Sequence, residues 1–164
     1  MKKGFTMIEL IFVIVILGVL ASVAIPRLAA TRDDAEVAKA ATNLTTAVSD
    51  ITAYYTAKGK FSSNAQSNFD KITNALTKDG KLNVKGSTTC AEVTLPITNN
   101  QQANTSSKVQ LTLKFTTASG ANDAVCKQLI QLPGIKAMCG KSGNGENITS
   151  DCKIQIGGSG GIQF

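Results

Sequence analysis

From Phe5 to Ile25 the chain runs through 21 residues with a single charge among them, Glu9, near the start. As a helix that stretch spans roughly 31 Å, about the thickness of a bilayer's hydrocarbon core. The pattern then changes. Asp33, Asp34, Glu36 and Lys39 bring charge, and Val37, Ala41, Leu44, Val48, Ile51 and Tyr55 recur at spacings of 4, 3, 4, 3 and 4. That spacing draws one apolar stripe along a helix. Gly59 ends it. The pattern predicts one helix over residues 5–58, about 80 Å long if fully helical. Proline at position 26 removes a backbone hydrogen bond and crowds the Ser22 carbonyl, so a kink is expected there, with Gly18 a second weak point. One half of this helix is apolar all round. The other half is amphipathic and needs a domain to lie on.

The rest of the chain supplies that domain. Ser67–Lys78 reads as a short helix with Phe69, Ile72 and Leu76 on one face and Asp79-Gly80 as its exit. Val93, Leu95 and Ile97 alternate with polar residues, and Val109, Leu111, Leu113 and Phe115 do so more cleanly. Asn122 or Asp123 caps a further helix carrying Val125, Leu129 and Leu132, which Pro133-Gly134 stops. Ile154 and Ile156 give a last strand, and Ile162 and Phe164 are placed to tuck the C-terminus onto the core. So few strands make a small sheet that cannot stand alone, and the stripe on the first helix is its partner. The expected fold is α+β, a long N-terminal helix packed on a small antiparallel sheet head.

Glu9 carries the most chemical information. A carboxylate inside an apolar span costs about 2–3 kcal/mol at the membrane centre, less near an end, and such groups usually mark function. No cation within the span can pair with it. A free α-amino group on Phe5, released by a cut after Gly4, would sit one helical turn away, in the same chain or a neighbouring one.

The run Gly4-Phe5-Thr6-Met7-Ile8-Glu9-Leu10, the apolar helix after it, Gly18 and Pro26 resemble the class III signal segment of type IV pilins and their secretion-system relatives. The resemblance covers residues 1–30 closely and the remainder in outline. It implies a leader, residues 1–4, removed by a membrane-embedded aspartyl peptidase that also methylates the Phe5 amine. It implies a helix over 5–58, whose part 5–30 spans the membrane or fills a filament core, and a globular head over 59–164. It gives Gly4 and Phe5 to processing, and Glu9, Gly18 and Pro26 to assembly. The implied function is a structural subunit of a type IV pilus serving adhesion, motility or DNA uptake. The alternative is a pseudopilin of a type II secretion system, and less favoured still is a membrane-anchored binding protein. Implied partners are copies of the chain itself, the prepilin peptidase, the assembly machinery and the inner membrane. The subunit waits in the inner membrane and then enters a surface pilus or a periplasmic pseudopilus.

Blander readings fit less well. A plain transmembrane anchor explains the apolar run but not Glu9 or the Gly-Phe junction. An ordinary secretory signal shares the basic start, and Ser22-Val23-Ala24 offers a small-x-small cleavage site. A carboxylate inside the apolar core argues against it.

Composition narrows the head's chemistry. There is no histidine, which removes the commonest general base and metal ligand. The glycines of 157–161 have no helix after them to cradle a phosphate. The chain reads as not an enzyme, with no cofactor and no metal site. Without its leader lysines it keeps 15 basic and 11 acidic side chains, a mild and scattered excess. Nucleic acid is therefore a conceivable partner with no patch in its favour.

Cys90, Cys126, Cys139 and Cys152 are an even set without zinc-site spacing, so an exported chain would form disulfides. Of three connectivities, Cys139–Cys152 with Cys90–Cys126 is preferred, because it closes the Gly- and Asn-rich excursion and ties a strand to a helix. Resemblance to pilins favours the runner-up, Cys126–Cys152 with Cys90–Cys139. Residues 98–107 and 140–151 read as exposed loops. Asn144, Glu146, Asn147 and Asp151 could offer calcium oxygen ligands, but two acids in twelve residues favour a solvated loop. The triplets at Asn43, Asn104 and Asn147 are not predicted to be glycosylated.

Overall fold

The computed structural model describes residues 4–96, 109–115, 122–140, 148 and 151–157. The leader residues 1–3, Ile97, most of the two polar excursions, and Ile162 and Phe164 lie outside them, as do the expectations attached to each. The chain divides into two compact units, Met1–Ala35 and Glu36–Phe164.

Helix α1 runs over Met7–Lys58 with helical assignment unbroken through Gly18 and Pro26. Its start is set by Thr6, whose carbonyl accepts the first intrahelical bond, from Leu10 N–H at 3.3 Å. Gly59 closes its end with φ of 70° and its N–H bonded to the Tyr55 carbonyl at 2.7 Å. That is the left-handed cap that glycine adopts without strain.

In the first unit, sixteen large apolar side chains from Phe5 to Leu28 are 42–88 % exposed. Water tolerates no such surface cheaply, since each side chain buried contributes about 1.5–3 kcal/mol. This segment requires an apolar surrounding. Among the described residues α1 is the one helix long and apolar enough to cross a membrane.

The second unit buries a single core. From α1 it takes Val37, Ala40, Leu44, Ala47 and Ile51, with Ala41, Val48, Tyr54 and Tyr55 half-covered beside them. The expected stripe is thus rotated slightly, toward two alanines small enough for close packing. The sheet is antiparallel in the order β1-β2-β3-β4, formed by Lys81–Val84, Thr88–Thr94, Val109–Phe115 and Cys152–Gly157. Leu82, Val84, Val93, Leu111, Leu113 and Ile156 bring it into the core. The α+β, pilin-like layout expected from the sequence is what the chain adopts.

Three local expectations need correction. Residues 67–78 form no α-helix; they make two 3₁₀ turns, Ala65–Ser67 and Phe69–Lys71, followed by bends. Bonds that run outside the helical pattern outcompete it here. Phe69 N–H donates to the Lys78 carbonyl (3.1 Å), Thr77 N–H to that of Lys81 (2.9 Å), and the buried Thr73 hydroxyl to Asp50 Oδ2 (2.7 Å). Gly80 is required by this arrangement. Its φ is 77°, and a Cβ there would press into the Phe69 ring and lie 2.9 Å from the Val93 carbonyl.

Strand β1 is the second correction, an element the alternation did not reveal. The positive-φ pair Lys85 (49°) and Gly86 (88°) turns it into β2. Beyond the start of β1 the Gln66 amide continues the ladder, donating to the Val93 carbonyl (2.9 Å) and accepting from Leu95 N–H (2.8 Å). A side chain here does the work of a strand, which leaves Leu95 buried just past the end of β2.

Third, Pro133-Gly134 stops one helix and starts another. Helix α2 spans Ala124–Gln131, and α3 spans Pro133–Met138 with Pro133 in its first turn, where a missing N–H costs nothing. Disulfides Cys90–Cys126 and Cys139–Cys152 tie β2 to α2 and the end of α3 to β4.

Candidate functional site

Gly4, Phe5 and Thr6 precede the first helical turn and are exposed, so the Gly4–Phe5 peptide bond lies outside the helical hydrogen-bond ladder. A Cβ added at Gly4 would meet nothing within 4 Å, and the same holds at Gly18. Neither glycine is demanded by packing within the chain.

Glu9 sits in the first turn of α1, where the helix dipole favours an anion. Its Oε2 accepts from the Thr6 backbone N–H at 2.9 Å and from the Thr6 hydroxyl at 2.7 Å. This is the acidic half of a capping box, in which the third helical residue reaches back to the N-cap. Thr6-x-x-Glu9 announces such a box in the sequence. Glu9 thus has a polar partner in its own chain besides any charged one.

Pro26 lies inside α1, four residues after Ser22, whose hydroxyl donates to the Val19 carbonyl at 2.7 Å. Thr31 similarly bonds back to Leu28 at 3.0 Å. The structure places Gly4, Phe5 and Glu9 together at the start of the helix, with Gly18 and Pro26 farther along it.

The head has its own polar device. Asp123, the N-cap of α2, accepts from Val125 N–H at 2.8 Å and faces Lys85 Nζ at 3.4 Å. Partial desolvation pushes its carboxyl up. The Val125 N–H, the Lys85 ammonium and the Cys126 N–H outweigh this and hold it below the usual carboxylate range. The turn between β1 and β2 is thereby fastened to α2, beside the Cys90–Cys126 bond. Among the described residues no three of His, Cys, Asp and Glu gather to hold a metal ion.

Residues 1–25 match the family described as the prokaryotic N-terminal methylation motif. No curated protein and no solved structure matches the chain.

Proposed function

We propose that this chain, whose first 25 residues carry a methylation motif fitting the class III prepilin-like N-terminus of type IV pilins and pseudopilins, is a filament subunit that polymerises through α1. The observation that carries this reading is the apolar segment from Phe5 to Leu28, exposed on every face and bearing one carboxylate, Glu9, beside a non-helical Gly-Phe bond. A membrane anchor alone needs the apolar surface but has no use for the carboxylate.

The sequence of events follows from solvent and charge. Residues 1–4 form the leader, and cutting after Gly4 frees the Phe5 amine. The small residue at 4, which packing within the chain does not require, suits a peptidase that must reach the bond. Residues 5–30 then hold the subunit in the inner membrane. A bilayer and the interior of a helix bundle are similar surroundings for these side chains, so transfer between them is inexpensive. Direction comes from Glu9, whose carboxylate meets the Phe5 amine of a placed copy. At about 4 Å and an effective dielectric near 20 such a pair gains roughly 4 kcal/mol before desolvation is subtracted. Gly18 and Pro26 are the points at which the helix yields on packing, and residues 59–164, with the second half of α1, cover the outside.

We favour a surface pilus over a periplasmic pseudopilus on two features together, the paired disulfides of the small head and the long polar excursions of the sequence over 98–107 and 140–151. Disulfides alone fit either compartment, both being oxidising. Deleting the gene tests this. Surface filaments should disappear while secreted enzymes still leave the cell. Lost enzyme export with filaments intact would assign the chain to the secretion pseudopilus.

A further inference from the structure

The charges on α1 point to a second contact between copies: we infer that Arg32 of one subunit pairs with Glu36 of its neighbour, in the register that joins Phe5 to Glu9. This rests on the assembly reading above and adds a specificity-determining pair to it.

Register decides which residues meet. If the Phe5 amine of one copy lies level with Glu9 of another, two parallel α1 helices are offset by four residues, about 6 Å along the axis. The copies are identical, so an offset set at one end holds at the other, whatever the helix does between. Residue 32 of one copy then lies level with residue 36 of the next, and these are Arg32 and Glu36.

At neighbouring offsets like charges come level as well. A shift of one residue brings Asp33 level with Asp34, two bring Asp34 level with Glu36, and three bring Asp33 level with Glu36. A shift of five brings Arg27 level with Arg32. Four is the smallest shift that sets no like charges of α1 side by side, and it matches opposite ones. Each of those offsets also sets one opposite pair level, Arg32 with Asp33, Arg32 with Asp34, Glu36 with Lys39 and Asp34 with Lys39 in turn, so attraction and repulsion offset each other, whereas at four the attraction is unopposed.

Arg32 and Glu36 are available for this. Arg32 is exposed and Glu36 half-buried. Both lie on α1, one turn apart in sequence. Their order, base before acid, is the weaker one for a pair within a helix. Across copies that restriction disappears.

The test is charge exchange in cells producing only one form of the chain: unmodified, R32E, E36R, or the exchanged chain carrying both. R32E and E36R should each reduce filament yield about tenfold, since each sets like charges level in every contact, with subunit levels in the membrane unchanged. The exchanged chain restores an acid level with a base and should recover most of the yield. Single variants that assemble like the unmodified chain would overturn the pair. So would an exchanged chain, present at normal level, that assembles no better than the single variants. Absence of filaments from the unmodified chain would overturn the assembly reading itself, a different failure.

Discussion

Thr6 holds Glu9 through two hydrogen bonds to a single oxygen, Oε2, from its backbone N–H (2.9 Å) and its hydroxyl (2.7 Å). The pair starts α1, and it leaves Oε1 without a partner among the described residues. The uncut chain therefore carries its intramembrane carboxylate half-satisfied, oriented by a neighbour one turn away. In the proposed assembly a cation from another copy would complete the set without undoing the cap.

Replacing Glu9 should separate insertion from assembly. Glu9→Leu removes the one charge from the span, so membrane insertion should be as good or better. The same change strands a neighbour's Phe5 amine in a low-dielectric core, where an unpaired charge is costly. A processed, membrane-held subunit with few or no filaments is expected, and Glu9→Gln should be intermediate at best. Normal filament yield from Glu9→Leu, with no unaltered subunit present, would remove the charge-pair mechanism.

Gly4→Val should block processing while leaving the chain's own packing untouched, because no atom lies within 4 Å of a Cβ there. Immunoblots should show full-length precursor accumulating in the membrane. Mature protein at its usual level would mean that the junction is not read by a peptidase needing a small residue.

The head should lose stability in acid partly through Asp123. Its carboxyl lies below the usual range in the folded state, so the stabilisation is complete above the unfolded value, about 3.9. It is lost as pH falls through the folded value. Asp123→Asn keeps a good N-cap and should flatten this acid limb, whereas Asp123→Ala should cost about 1 kcal/mol at neutral pH. Urea titrations from pH 2 to 7 would read both. An acid limb unchanged in Asp123→Asn would assign it to other carboxylates.

Tyr55 and Gly157 meet where the end of α1 passes the end of β4, so closely that a Cβ at 157 would enter the tyrosine ring. Gly157→Ala should destabilise the head by about 1–3 kcal/mol, the usual effect of overpacking. A smaller side chain at 55 should relieve it, so Gly157→Ala with Tyr55→Ala should cost less than the sum of the two changes. Simple additivity in denaturant melts would contradict this contact.

Some elements of the fold are legible in the sequence and others are not, for physical reasons. Leu44 and Ile51 announced their face of α1 by periodicity alone. Ala40 and Ala47 carry little hydrophobic signal, yet their small size lets that face pack at its centre, displacing Ala41 and Val48 to its flanks. Leu111 and Leu113 alternate through a full strand and could be read directly. Strand β1 offers only Leu82 and Val84, too few to show a period. The stretch from Ser67 to Lys78 has helical spacing, but Phe69 bonds forward to Lys78 and the Thr73 hydroxyl bonds to Asp50, a distant partner that no local rule names. Glu9 was legible as a group in need of a partner. Thr6 is less legible, because Thr-x-x-Glu marks a helix start and says nothing of a membrane or a neighbour.

The most direct test of the account is the mass of the subunit recovered from purified filaments. The account predicts a chain beginning at Phe5, one methyl group heavier than residues 5–164 alone, with both disulfides intact. A chain beginning at Ile25, the product of an ordinary secretory cut, would contradict it.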